Sequence, residues 1–113
     1  MTTVIHRHKT AISRTGLSRP FRLAFEYGLI SEEQTVFDYG CGRGDDLTHL
    51  LEMGIQTEGW DPSFRPDSSK YPSDIVNIGY VVNVIEDPEE REVALKSAWS
   101  LTNKLLIVSG RLK

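Results

Sequence analysis

Three glycines spaced two apart, Gly40, Gly42 and Gly44, stand between Asp38 and the pair Asp45–Asp46 in the stretch TVFDYGCGRGDD. Glycines in such a row remove side chains where a ligand must come close to the backbone. The acids then open a helix whose first N–H groups point back at the loop. Further along, Asp61 ends the apolar stretch IQTEGWD, and Asn77, Gly79 and Tyr80 end another in NIGY. Carboxylates accept hydrogen bonds and attract cations; an amide both donates and accepts. These residue types suit the binding of a cationic or hydroxyl-rich ligand better than the binding of phosphate.

Three readings of the loop compete. A dinucleotide fold calls for G-x-G-x-x-G, whereas this loop is one residue tighter and carries acids where a pyrophosphate would be repelled. A P-loop calls for Gly-Lys-Ser/Thr, which GRGDD does not offer. S-adenosylmethionine (SAM) has an ammonium and a sulfonium, so acids beside the glycines help. Asp38 and Asp45 are placed to face that cationic part, and Asp61 to hold two ribose hydroxyls. The third reading is a tight strand-to-helix turn with no ligand.

The elements that position these residues follow from periodicity and punctuation. GLSRPFRLAFEYGLI reads as a helix, with Ser18 as N-cap, Pro20 in the first turn, apolar Phe21, Leu23, Ala24 and Tyr27, and Gly28 as stop. TVFDY is a buried strand. DDLTHLLEMG is a helix with Leu47, Leu50 and Leu51 inward and Gly54 as stop. IQTEGWD is a strand, PSFRPDSSKYPS an irregular loop, and DIVNIGYVV a strand. DPEEREVALKSAWSLT is a helix capped by Asp87, with Pro88 and three acids at its start. Val93, Leu95, Ala98, Trp99 and Leu101 offer it a buried face. KLLIVSGR is the last strand. This alternation predicts an α/β fold built on an open, mainly parallel, Rossmann-like sheet of about four to five strands flanked by helices. Every distinctive residue falls at a strand's carboxyl end, where such sheets bind ligands.

Composition bounds the rest. The 113 residues, 39% hydrophobic and 26% charged, suit one globular domain, with a basic arm over 1–17 and a core over 18–113. No run of about 18 apolar residues could span a membrane, no signal peptide opens the chain, and the single Cys41 gives no disulfide framework. A cytoplasmic protein is the expectation. Net charge is −3, yet up to Arg22 the chain has five bases and no acid. That start is either a solvated arm or one that meets an anion such as DNA phosphate.

FDYGCGRGDD resembles the first motif of class I SAM-dependent methyltransferases, and GWDP resembles their second. HKTAISR, FDYGCGRGDD, GWDP and NIGYVVNVIEDPEER together resemble the methyltransferase family associated with DNA phosphorothioation, over about His8 to Arg111. The resemblance implies SAM as cofactor and a reduced class I methyltransferase fold in a DNA-modification setting. Asp38, Tyr39, Gly40, Cys41, Gly42, Gly44, Asp45, Asp61, Pro62 and Gly79 would then line the cofactor, and Lys9 or Arg14 would reach its carboxylate. Asn77 and Tyr80 match the first and last letters of the Asn/Asp-Pro-Pro-Tyr motif of amino-methyltransferases, so Asn77 would accept from a target amine and Tyr80 would stack on a base. The alternative is that Asn77 caps the strand end and Tyr80 packs against the cofactor or the turn. Class I enzymes have seven strands, and between GWDP and DIVNIG there is room only for a loop. A fragment or reduced version is therefore expected, with adenine contacts falling to loop 62–72, by Phe64 or Tyr71, or to another chain. Its exposed sheet edge would be inclined to pair with a copy of itself. Asn83 reads as a turn residue, and His6, His8 and His49 as solvated or packed rather than metal ligands. Cys41 is expected to contribute backbone, not a nucleophile. The rival functions are a non-catalytic SAM-binding or interaction module, and a nucleotide-binding oxidoreductase fold.

Overall fold

The computed structural model describes residues 16–79 and 87–109. Residues 1–15 of the basic arm, with Lys9, Arg14, His6 and His8, lie outside those residues, as do Tyr80 and Asn83, whereas Leu17 is buried in the core.

The two central strands, β1 (Thr35–Tyr39) and β3 (Ser73–Gly79), are almost wholly buried. β2 (Gln56–Trp60) and β4 (Thr102–Ser109) lie at the edges and are half open. Among the described residues the strands of the sheet pair in parallel throughout, in the order β2-β1-β3-β4. Parallel strands need crossovers. Helix α2 (Asp45–Glu52) supplies one between β1 and β2, and α3 (Pro88–Ser100) lies between β3 and β4. The chain passes from β2 back across β1 to β3 through the loop 61–72, without a helix. Strand order therefore reverses between β1 and β3, and a crevice opens at their carboxyl ends. This is the expected α/β, Rossmann-like sheet at its four-stranded size.

Alternation along the central strands splits the core into two layers. Val36 and Ile75 face one side, where Phe21 and Ala24 of α1 (Arg19–Glu26) meet Leu50 and Met53. Phe37, Val76 and Ile78 face the other, against Ala94 and Ala98 of α3. Phe21, Phe37, Leu50, Ile75 and Ile78 are fully buried, each contributing about 1.5–3 kcal/mol through removal from water.

The helices form where expected, but each leaves exposed some of the apolar residues expected to pack. On α3, Val93 and Trp99 are each 67% exposed, while Ala94 and Ala98 are buried. Two alanines one turn apart let the helix axis approach the strands, and Leu95 and Leu101 pack at the flanks. On α2, Leu47 and Leu50 point inward and Leu51 outward; on α1, Leu23 and Tyr27 are exposed. Gly28 ends α1 and Gly54 follows α2, both with positive φ. Asp87 caps α3 by accepting from the Glu89 N–H at 3.0 Å.

Candidate functional site

The crevice holds a cavity of about 680 Å³. Its walls come from every layer: Asp38 and Tyr39 from β1, Gly40, Cys41 and Gly42 from the loop, and Asp61, Pro62 and Phe64 after β2. Asn77 and Gly79 of β3, Asp46 of α2, Ser18 before α1, and Glu90 and Val93 of α3 complete it.

The glycine loop is held by Asp61. Gly42, at φ +58°, donates its N–H to Asp61 Oδ1 at 2.8 Å. Asp61 Oδ2 accepts from the N–H groups of Ser63 and Phe64 at 2.9 and 3.0 Å. Gly44 takes φ +90° as the residue before α2, a left-handed conformation that other residues reach only at a cost. A Cβ there would also come within 2.8 Å of the Arg65 guanidinium. The pattern contains one further glycine requirement: a Cβ at Gly59 would lie 2.9 Å from Cys41 and Leu47, so β2 packs this close to the loop only without a side chain.

Asp38 and Asn77 are register partners on adjacent strands, and the Asn77 Nδ2 donates to Asp38 Oδ1 at 3.0 Å. Both are buried, at 4% and 3% exposure. Burial raises the Asp38 carboxyl to about 7; the Asn77 bond opposes this, and the negative charges of Asp46 and Asp61 add to it. Asn77 Oδ1 has no hydrogen-bond partner among the described residues, nor does Ser109 Oγ, which faces the same corner beneath Gly79.

Asp46 is the acid that reaches the cavity, and Asp45 does not line it. Successive helix positions differ by about 100°, so only one of the pair can turn inward. Asp46 also grips the start of α1, accepting from Ser18 N at 2.8 Å and from Ser18 Oγ at 2.7 Å. Ser18 thus occupies the N-cap position without capping its own helix. Asp45 instead lies exposed, its carbonyl 2.8 Å from His49 Nδ1.

Tyr39 and Trp60 form an aromatic wall, ring centroids 5.1 Å apart. Lys70 lies against it, its Nζ 4.0 Å from the Trp60 centroid and 3.2 Å from the Tyr39 hydroxyl, to which it donates. Phe64, 56% exposed, carries the Arg43 guanidinium 5.4 Å from its ring centroid. Tyr71 lies outside this cavity, in the groove along β2.

Of the residues expected at a ligand, Asp38, Tyr39, Gly40, Cys41, Gly42, Asp61, Pro62, Asn77 and Gly79 surround this cavity. Gly44 shapes the loop through its left-handed backbone, and Asp45, expected to face the ligand, points to solvent instead. Asp46, Trp60, Glu90 and Ser18 were not legible as cavity residues, and only the doubled acid of GDD hinted at the first. Cys41 is pushed up to about 11 by burial and by the nearby Asp38 charge, with the Arg65 charge opposing and Asp61 adding. It remains a neutral thiol near pH 7, unsuited to attack.

The described lining carries four carboxylates, from Asp38, Asp46, Asp61 and Glu90, and no Lys, Arg or His. Such a site attracts cations and repels phosphates. Among the described residues no three His, Cys, Asp or Glu side chains converge as a metal site would need, and no helix is long and apolar enough to cross a membrane. Set against family models, curated proteins and solved structures, the chain matches none.

Proposed function

We propose that the chain is a SAM-binding domain of class I methyltransferase type. The observation that carries this reading is the acidic, base-free lining of a cavity at the sheet's switch point, beside a three-glycine loop. A pyrophosphate cofactor is disfavoured there by the carboxylates of Asp46, Asp61 and Glu90, with Asp38 a fourth acid beside them. The volume of about 680 Å³ falls within the roughly 300–1,000 Å³ usual for small-molecule sites. Tyr39 and Trp60 offer an apolar wall, and Asp61 lies at the end of β2, where a ribose would meet it. Bound there, the cofactor supplies an activated methyl group, and the protein's task is positioning. Asn77 Oδ1, unpartnered among the described residues, is the acceptor available to an incoming amine N–H. The sequence resemblance points to DNA as the substrate, which the basic arm would meet in a cytoplasmic setting. The edges of β2 and β4 are where a second copy would add.

A second reading is a SAM-binding module without catalysis, and in either reading Asp61 offers a ribose little more than one acceptor. Three backbone N–H groups already engage its carboxylate, which leaves about one of its four acceptor sites for a ribose. Titration calorimetry with SAM, its demethylated product and NAD tests the cofactor. SAM and its product should bind and NAD should not, with binding lost in Asp61→Ala. Failure of both to bind, together with an indifferent Asp61→Ala, overturns the reading. Methyl transfer to DNA separates enzyme from module.

A further inference from the structure

Asp38 stands apart from the other carboxylates of the cavity. Asp61 accepts three backbone N–H groups, Asp46 is forked onto Ser18, and Glu90 is open to solvent. Asp38 is 4% exposed, and the single hydrogen bond found for it among the described residues comes from a neutral amide. The charged groups that act on it from α2 and from the loop after β2 are Asp46 and Asp61, both of like sign. From β3 it meets Asn77, and across the cavity α3 brings Glu90. Of the neighbouring bases, Arg43 lies over Phe64, Lys70 on the Tyr39–Trp60 rings, and Arg65 beside Gly44. A buried carboxyl facing two carboxylates and no described cation keeps its proton.

We propose that Asp38 is the charge-selective group of the cavity: it is protonated when no cation is present and ionises when a cationic ligand enters. The ligand's positive charge then takes the place of the proton, which leaves to solvent. The proposal rests on the cofactor reading for the identity of that cation, and adds how the site distinguishes charged from neutral ligands. Burial holds the carboxyl at about 7, so the exchange falls in the physiological range. Below about pH 7 a proton competes with the ligand, and affinity falls by up to about tenfold per pH unit. Above it Asp38 is already ionised and affinity levels off. A neutral ligand gains nothing from ionisation, so its affinity is flat.

Calorimetry with SAM in two buffers of different protonation enthalpy counts the protons released, and adenosine serves as the neutral probe. At pH 6, SAM should release at least about half a proton per site and at pH 8.5 almost none. Asp38→Asn should abolish the release and weaken SAM at pH 8 by at least about tenfold, leaving adenosine within about twofold. The Asp38 carboxyl carbon, followed by NMR in the unsubstituted protein, should titrate near neutrality and drop on adding SAM, which requires no variant to fold. SAM binding without proton release and with equal affinity at pH 5.5 and 8, or an Asp38 carboxyl titrating near ~4 in the free protein, overturns the inference and leaves the cofactor reading standing. Absence of SAM binding at every pH overturns the cofactor reading and the inference with it.

Discussion

Asn77 donates its side-chain amide to Asp38 Oδ1 at 3.0 Å, across two parallel strands whose register sets these residues side by side. They are 39 positions apart in the chain, and each stands two residues after a buried apolar one on the same face, Val36 and Ile75. Two buried polar groups at the tip of a hydrophobic layer cost stability unless they are matched. Here the match is incomplete: Asn77 Oδ1 is unpartnered among the described residues, and burial raises the Asp38 carboxyl to about 7.

That rise gives the fold a pH dependence of unusual sign. In the unfolded chain Asp38 ionises near ~3.9, and in the fold near 7. Between those values the native state holds the extra proton, so stability falls as pH rises, by up to about 1.4 kcal/mol per unit. The penalty is absent below the unfolded value and complete above about pH 7. Urea midpoints at pH 5, 6, 7 and 8 should show Asp38→Asn gaining on the parent protein as pH rises. A constant difference would show that Asp38 is ionised in the fold throughout.

Asp61→Ala strands the Gly42, Ser63 and Phe64 N–H groups at once. Bonds to a charged acceptor contribute about 1.5–3 kcal/mol each, less whatever water recovers. The expected loss is about 2–4 kcal/mol in denaturant unfolding, with the Gly42 amide becoming unprotected in hydrogen exchange. Asp61→Asn, which keeps acceptor oxygen, should lose roughly half as much.

The Ser18–Asp46 fork joins the start of α1 to the first turn of α2. Ser18→Ala removes one of its two bonds and should cost about 1 kcal/mol. Asp46→Ala removes both, yet also takes a like charge away from Asp38. Its cost, about 1–3 kcal/mol at pH 5, should therefore shrink at pH 8. A double-mutant cycle with Asp38→Asn measures that coupling and should cancel the pH dependence.

Position 98 matters more than position 99. Ala98 is fully buried against the sheet and Trp99 is 67% exposed. Ala98→Leu should cost about 1–3 kcal/mol through overpacking, and Trp99→Ala should stay within about 0.5 kcal/mol. Thermal unfolding of the two variants decides it.

Sequence alone determined the elements of this protein and the ends at which chemistry gathers. Strand and helix are written in local periodicity, glycine and proline mark the boundaries, and a strand's final residues point to its carboxyl tip wherever the strand lies. Asp38, Gly42, Asp61, Asn77 and Gly79 were legible for that reason, and their convergence followed from parallel strands with one reversal of order. What only the tertiary structure decided was phase and partnership. The rotation of α2 about its axis puts Asp46, not Asp45, into the cavity, and that of α3 buries Ala94 and Ala98 while leaving Trp99 outside. Periodicity gives a helix a stripe, but close packing against the strands selects which stripe is buried. Likewise no local pattern pairs Asp38 with Asn77 or forks Asp46 onto Ser18. Those contacts exist because the apolar layers on either side of the sheet bring distant segments together, and burial then changes what their polar groups can do.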